Sequence, residues 1–241
     1  MTLSHRHPRP ARVAIAAALL LTAGFIALGI WQIERRAWKH RLIHIVETRI
    51  HAAPTPPPPP TLWPQISADA DAYRHVRATG RFMPAQSTLV QAVTEKGAGY
   101  WVLTPLVTPA FTLLVNRGFV PPEQRGAATA APSGDVTVTG LLRISEPHGG
   151  FLRSNDPRAN RWYSRDVAAI AAARGIGPVA PYFIDADAAP NPGGYPIGGL
   201  TVVSFPDNHM SYALTWFGMA ALSLWWAWWL LRERRQEDGT A

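Results

Sequence analysis

The sequence contains no cysteine, which excludes disulfide bonds, zinc–thiolate sites and thiol nucleophiles. It also contains neither a P-loop nor a G-x-S-x-G motif, so two common signatures of nucleotide and hydrolase sites are missing. Gly97-x-Gly99 is too short for a dinucleotide-binding loop and predicts a hairpin turn. Sequence motifs alone therefore give little support to an enzyme.

Positive charge is concentrated at the two ends of the chain. The 241 residues carry a formal net charge of +7, which raises the question of nucleic-acid binding. Much of the excess flanks two long apolar runs, as Arg6, Arg9, Arg12 and Arg232, Arg234, Arg235. Because no basic motif interleaved with aromatic residues occurs between them, we expect no nucleic-acid partner.

Both apolar runs are long enough to cross a membrane. Residues 13–33 carry no charge, and about 20 helical residues span about 30 Å of hydrocarbon. A cleaved signal peptide is the alternative, but this run is long for one and lacks an Ala-x-Ala site at its end. Residues 209–231 end in a tryptophan cluster followed by arginines, which predicts a second span with a cytoplasmic C-terminus.

Two spans place both termini on the same side and the central domain on the other. The short basic tail, without a long Arg/Ser-rich presequence, favours the bacterial inner membrane and a periplasmic domain. Ala23 and Ala27 form a small-x-x-x-small pair, which predicts the contact between the spans. The predicted segments are a cytoplasmic tail 1–12, transmembrane helix 13–33, amphipathic helix and Pro-rich linker 34–61, β-rich domain 62–208, transmembrane helix 209–231 and cytoplasmic tail 232–241.

Between the spans, the pattern predicts an antiparallel, mainly β (α+β) domain with one short helix. The helix is predicted at 166–174, where Gly175 would cap its C-terminus. The five prolines at 56–60 predict a stiff polyproline II spacer. The predicted strands are short, rich in Val, Thr, Leu and aromatic residues, and lie at 73–82, 87–94, 99–107, 111–119, 135–144, 181–186 and 199–205.

Few side chains offer chemistry by their spacing. His40 and His44 lie four residues apart on a predicted helix and are compatible with a metal or with simple solvation. Asp185 and Asp187 are compatible with a catalytic pair or with a solvated strand end. His209 lies where the second span enters the membrane, with Tyr212 and Trp216 on the same helix face. It is compatible with a haem ligand or with an interfacial histidine bonded to water.

Six segments, in order, resemble the surfeit-locus family of cytochrome c oxidase assembly factors. The likeness runs nearly from end to end of the chain, with an apolar span at each end. The segments are Gly29-Ile30-Trp31-Gln32-x-x-Arg35-x-x-Trp38-Lys39, Gly99-Tyr100-Trp101-Val102-Leu103-Thr104-Pro105-Leu106, Val115-Asn116-Arg117-Gly118-Phe119-Val120-Pro121, Asn160-Arg161-Trp162-Tyr163 with Asp166, Pro181-Tyr182-Phe183-Ile184-Asp185, and Asn208-His209-x-x-Tyr212-Ala213-x-x-Trp216-Phe217.

The resemblance implies a non-enzymatic chaperone that binds haem a and aids its insertion into the catalytic subunit of an aa3-type haem-copper oxidase. In the family, the histidine matching His209 is thought to bind the haem iron. Arg35 and Arg117 are our candidates for pairing with haem propionates. The expected partners are the catalytic subunit, haem a synthase as a second candidate, and membrane lipid.

The sequence departs from the family pattern at two places, and two other functions stay open. Phe119 stands where the family usually has tryptophan, which puts a hydrogen bond from an indole in doubt. The proline run at 56–60 looks like a local elaboration of the linker. One alternative function is a membrane-anchored scaffold that binds an oxidase subunit without haem, and a more remote one is a translocated hydrolase that uses Asp185 or Asp187.

Overall fold

The computed structural model describes residues 9–150, 152–201 and 207–239, which form two compact units. The four α-helices described are α1 (Arg9–His51), α2 (Ala68–Asp71), α3 (Val167–Arg174) and α4 (His209–Gly239). The six strands described are β1 (His75–Phe82), β2 (Thr88–Thr94), β3 (Gly97–Val107), β4 (Thr112–Val120), β5 (Asp135–Ile144) and β6 (Val179–Ala186). Short 3-10 helices lie at Pro60–Gln65, Pro84–Gln86, Pro122–Thr129 and Pro192–Gly194.

The helical unit consists of α1 up to His44 together with α4. The two helices pack antiparallel through a seam whose residues recur every three or four positions, as in a coiled coil. The Ser223 hydroxyl donates to the carbonyl of Ala18 at 2.9 Å, and the rings of Phe25 and Trp216 stack at 5.8 Å. The seam positions are Ile15, Ala18, Thr22, Phe25, Gly29 and Gln32 on α1, and His209, Ala213, Trp216, Ala220, Ser223 and Ala227 on α4.

The prediction that Ala23 and Ala27 form this contact is wrong. Both side chains are exposed, whereas Ala18 and Gly29 face α4. A Cβ added to Gly29 would lie 2.5 Å from the ring of Phe217, so the close approach of the helices depends on this glycine. Small residues do form the contact, but a spacing of four residues does not by itself determine which face of the helix is buried.

The outer surfaces of α1 and α4 are apolar and exposed. Both helices are long and apolar enough to cross a membrane. In the most apolar stretch of each helix, only 22% (α1) and 11% (α4) is buried. Exposed side chains include Leu20, Leu222 and Trp225. A core helix of a soluble domain would bury such residues, so this exposure is typical of helices that face lipid.

The β unit begins at Ile45 and contains a small closed barrel. Strands β1, β5, β6, β4 and β3 pair in that order, and β3 also pairs with β1, which closes the ring. A register shift between Trp101 and Leu103 bends β3, so that its first half pairs with β2 outside the ring. The mainly β class is confirmed. Of the pairings among the described strands, β4 with β6 is parallel, a departure from the expected antiparallel pattern.

Most local predictions in this unit are confirmed. Six of the predicted strands are present, whereas residues 199–201 are not a strand and the rest of the seventh lies outside the described residues. Helix α3 begins with the Asp166 carboxylate accepting the N–H of Ala169 at 3.1 Å. It ends at Gly175, whose φ of 63° is the left-handed conformation that glycine adopts readily.

The proline run contacts the barrel. Pro58 is buried, and its carbonyl accepts hydrogen bonds from the Tyr182 hydroxyl at 2.6 Å and from the Trp63 indole at 3.2 Å. Tyr182 belongs to the barrel core, where it packs with Val76, Leu113, Leu142 and other apolar residues. The run is therefore tied to the domain through its middle, in addition to any role as a spacer.

Candidate functional site

His209, the first residue of α4, is half-buried against α1. Its Nδ1 lies 2.8 Å from Oε1 of Gln32, an amide oxygen that can only accept a hydrogen bond. Nδ1 therefore carries the proton, and the lone pair of His209 lies on Nε2. Among the described residues, no side chain or carbonyl bonds to Nε2. A histidine that ligates a metal characteristically donates its other N–H to an oxygen in this way.

Asp207 organises the chain just before α4. One carboxylate oxygen accepts from Nε2 of His40 at 2.6 Å and from Nε of Arg36 at 3.2 Å. The other accepts the backbone N–H of His209 at 3.1 Å. The bond from His40, and then that from His209, lowers the pKa of Asp207 from its ordinary 3.8 to about 2. The carboxylate is thus ionised at neutral pH and positions the first turn of α4.

The other residues predicted on α4 differ in their surroundings. Tyr212 is 57% exposed, and its ring lies on the outer surface of the helix. Trp216 is half-buried in the seam against Phe25, and its indole N–H has no acceptor among the described residues. Tyr212 therefore offers an accessible aromatic surface near His209, whereas Trp216 contributes chiefly to the packing of α1 on α4.

Arg35 lies on α1, three residues beyond Gln32 in sequence. Its guanidinium lies 4.1 Å from the centre of the Trp38 ring, in a cation–π contact. Among the described residues, no carboxylate pairs with it, in contrast to its neighbour Arg36, which is engaged by Asp207. Arg35 is thus the arginine of this helix turn that is available to an anionic group of a ligand.

Arg117 lies in the β unit, on β4, and is only 2% exposed. Its terminal nitrogens donate to the carbonyls of Ala128 and Ala130 and to the side-chain oxygen of Asn191. Arg117 therefore lies within a strand, where protein groups bond to its guanidinium. Pairing of Arg117 with a propionate stays a prediction.

Asp185 is held by hydrogen bonds from other side chains of the β unit. It is 3% exposed and accepts hydrogen bonds from Arg143, Arg165 and Asn116 at 2.8 to 3.1 Å. Asp187 is exposed and pairs with His75 at 3.3 Å. Both carboxylate oxygens of Asp185 are engaged by protein donors, which leaves this side chain poorly placed to act as a general base. The geometry therefore favours a structural role for Asp185 over hydrolysis.

Sequence reasoning missed Gln32, Asp207 and the role of His40. Gln32 belongs to a segment of the resemblance, but no spacing rule links it to a histidine 177 positions later. His40 is paired with Asp207, which explains it without a metal. Within the described residues, no group of three or more His, Asp or Glu side chains is suited to a metal ion.

Comparison with known proteins identifies the family of the chain. The model of the SURF1 family matches residues 19–221, which include most of α1, the whole β unit and part of α4. The chain belongs to the SURF1 family. Surfeit locus protein 1 of Mus musculus is 37% identical over 229 residues, covering 86% of this chain and 72% of the mouse protein. The Homo sapiens protein is 34% identical over 232 residues, covering 86% of this chain and 74% of its own length.

Proposed function

We propose that this SURF1-family chain is a membrane-anchored, non-enzymatic assembly factor for aa3-type haem-copper cytochrome c oxidase. It binds haem a and aids its insertion into the catalytic subunit. Three observations support the proposal: membership of the family, two helices with exposed apolar surfaces, and a histidine at the start of α4 whose Nε2 has no partner among the described residues. Haem a is the cargo, and the protein supplies a ligand atom and an apolar surface.

The bond between His209 and Gln32 is the observation that carries the proposal. A neutral imidazole binds iron through an unprotonated nitrogen, and the orientation of the ring decides whether that nitrogen is available. Gln32 holds the proton on Nδ1, while Asp207 bonds to the backbone of the same residue. The chain thereby presents Nε2 without having to reorganise the ring when a ligand arrives.

The positive charge of Arg35, on the same helix as Gln32, suits haem a, an apolar macrocycle that carries propionate groups at one edge. Arg35 is the candidate partner for a propionate, because it lacks a carboxylate partner among the described residues. Tyr212 offers an exposed ring for apolar contact. The proposed setting is the bacterial inner membrane, with both termini cytoplasmic and the β unit periplasmic. The relatives compared above are animal proteins, so this location rests on the charge pattern of the sequence.

The proposal is tested by visible absorption of the full-length protein, purified in detergent after co-expression with haem a synthesis. We expect a haem a band in the wild type, its loss or shift in His209→Ala, and no change in His51→Ala. His51 is the matched control because it is exposed on α1 and bonds only locally, to the carbonyl of Glu47. A colourless wild type with intact helices would contradict haem binding and favour the scaffold.

A further inference from the structure

Arg117 lies at one end of the barrel interior. It follows Leu113 and Val115 at intervals of two along β4, so all three side chains lie on the same face of the strand. Leu113 and Val115 belong to the barrel core. The guanidinium continues this row of apolar side chains with a charged group, at 5.3 Å from the centre of the Phe82 ring. A strand that is mostly apolar thus carries a buried cation at Arg117.

The charge of Arg117 has no anionic partner. Its acceptors are two backbone carbonyls and the Asn191 amide, and among the described residues no carboxylate oxygen lies within 4.0 Å of its nitrogens. Its Nε–H is buried and has no acceptor within the same residues. Burial lowers the pKa of Arg117 to about 10, so the group is still protonated at neutral pH. An uncompensated buried charge is costly, and an anion would relieve that cost.

A cavity of about 310 Å³ adjoins this guanidinium, at the lower end of the range typical of ligand sites. Apolar side chains that line it are Phe82, Val115, Val136, Val138 and Ala186. Polar side chains at the cavity include Thr139, Thr137, which bonds to Thr79 at 2.9 Å, and Asp187, which pairs with His75. Among the described residues that line the cavity, Arg117 carries the positive charge, and its Nε has no acceptor.

We propose that this cavity binds a monocarboxylate with a narrow apolar chain, its carboxylate facing Arg117 and its chain lying along the barrel wall. One free N–H and one positive charge match a single carboxylate. A phosphate or sulfate would need several donors, and its larger charge would be repelled by Asp187, which also lines the cavity, more strongly than a single carboxylate would be. A neutral ligand would leave the charge unpaired, and a cation would be repelled. The inference does not depend on haem binding at His209.

The test is isothermal titration calorimetry of hexanoate into the full-length, haem-free protein in nanodiscs, with empty nanodiscs as reference. We expect saturable binding of one hexanoate per chain, and no saturable binding of hexylammonium or hexanol. Ala186→Leu fills the cavity without removing charge, and Arg117→Gln removes the cation. Ala186→Leu is expected to weaken hexanoate binding by more than tenfold because the larger side chain occupies the space of the ligand. Arg117→Gln is expected to weaken it by more than tenfold because it removes the charge that pairs with the carboxylate.

Arg153→Gln is the matched control, because it removes an equally charged arginine from an exposed place in the same unit. Its hexanoate affinity should equal that of the wild type. If Arg117→Gln does not fold, as judged by circular dichroism, Ala186→Leu decides the question. Absence of saturable hexanoate binding to the wild type, or unchanged binding in Ala186→Leu, would overturn the proposal.

A carboxylate of this kind could belong to a free small molecule or to a haem propionate. Titration of hexanoate into haem-loaded protein separates the two sources. Undiminished binding would identify a separate small-molecule site, whereas loss of binding on haem loading would place a propionate beside Arg117. Either result supports recognition of a carboxylate at Arg117. The role of His209 as a haem ligand is tested separately, by the visible absorption of haem a.

Discussion

The helical unit and the β unit are stabilised by different means. The seam between α1 and α4 is built on small residues such as Ala18, Gly29 and Ala213, with polar contacts at its ends. The barrel core is built on large apolar side chains, with a buried network of charges around Asp185. In lipid, burial of apolar surface gives little drive to association, so close backbone approach matters more. In water, the hydrophobic effect supports a core of large residues.

The largest effect on stability is expected in the buried charge network of the β unit. Asp185→Ala leaves the guanidinium groups of Arg143 and Arg165 without a shared partner, which should cost about 3–5 kcal/mol of unfolding free energy. Urea denaturation followed by circular dichroism measures this. The matched control is Asp135→Ala, which breaks an exposed pair with Arg81 and should cost less than about 1 kcal/mol. Equal costs would show that the network is not stabilising.

The helix seam should be sensitive to size at Gly29 and tolerant at Ala27, two residues away on the other side of α1. Gly29→Leu overlaps the Phe217 ring and should weaken the helix contact by about 1–3 kcal/mol. Ala27→Leu, on the exposed side of α1, should have little effect. Because the chain has no native cysteine, disulfide yield between cysteines introduced at Ala18 and Ser223 reports the contact directly. Loss of the disulfide in both variants would contradict the assigned seam.

A smaller effect is expected at the N-terminus of α3. Asp166→Ala removes the side-chain acceptor of the Ala169 N–H and should lower the unfolding free energy of the β unit by about 1 kcal/mol. Asp166→Asn, which keeps an acceptor, should recover most of the loss. Urea denaturation of the three proteins is the measurement. An effect as large as that of Asp185→Ala would mean that Asp166 does more than cap the helix.

Mild acid should leave the Asp207 contacts intact. The pKa of this carboxylate is lowered to about 2, so the ionised form is favoured in the folded state. Its contribution to stability is complete above the ordinary value of 3.8 and is lost as the pH falls through about 2. Carbon-13 NMR of labelled aspartate should show Asp207 still ionised at pH 3. A titration midpoint near 3.8 would contradict the contacts described.

Much of the β unit follows from sequence because its signals are local. Alternation of apolar and polar residues predicted the strands, and Asp166 with Gly175 marked the ends of α3. The parallel pairing of β4 with β6 did not follow, because strands far apart in sequence carry no local mark of their partners. The contact of Pro58 with Tyr182 was missed for the same reason. Phe119, which stands in place of tryptophan, is buried against Trp101 and needs no donor.

The candidate site was predicted in part. Interfacial position and aromatic spacing, together with the family resemblance, singled out His209, Tyr212 and Trp216. The bond between His209 and Gln32 could not be predicted, because these residues, 177 positions apart, meet only when the two helices pair. Asp207 lies two residues before His209, but no sequence signal marked it as the acceptor of the His209 N–H. Arg117 shows the converse case. The segment that contains Arg117 was part of the family resemblance. The burial of its charge without a counter-ion, however, is a property of the folded barrel and has no signature in sequence.

The most direct test of the account is replacement of the proposed ligand by a free one. His209→Gly removes the imidazole and, on the proposed function, should abolish the haem a spectrum expected of the wild-type protein. Added imidazole should restore that spectrum in His209→Gly, and Gln32→Leu should retain haem with reduced affinity because the ring is no longer held by its acceptor. A His209→Gly protein that binds haem a with an unchanged spectrum, in the absence of imidazole, would contradict the assignment of His209 as the ligand.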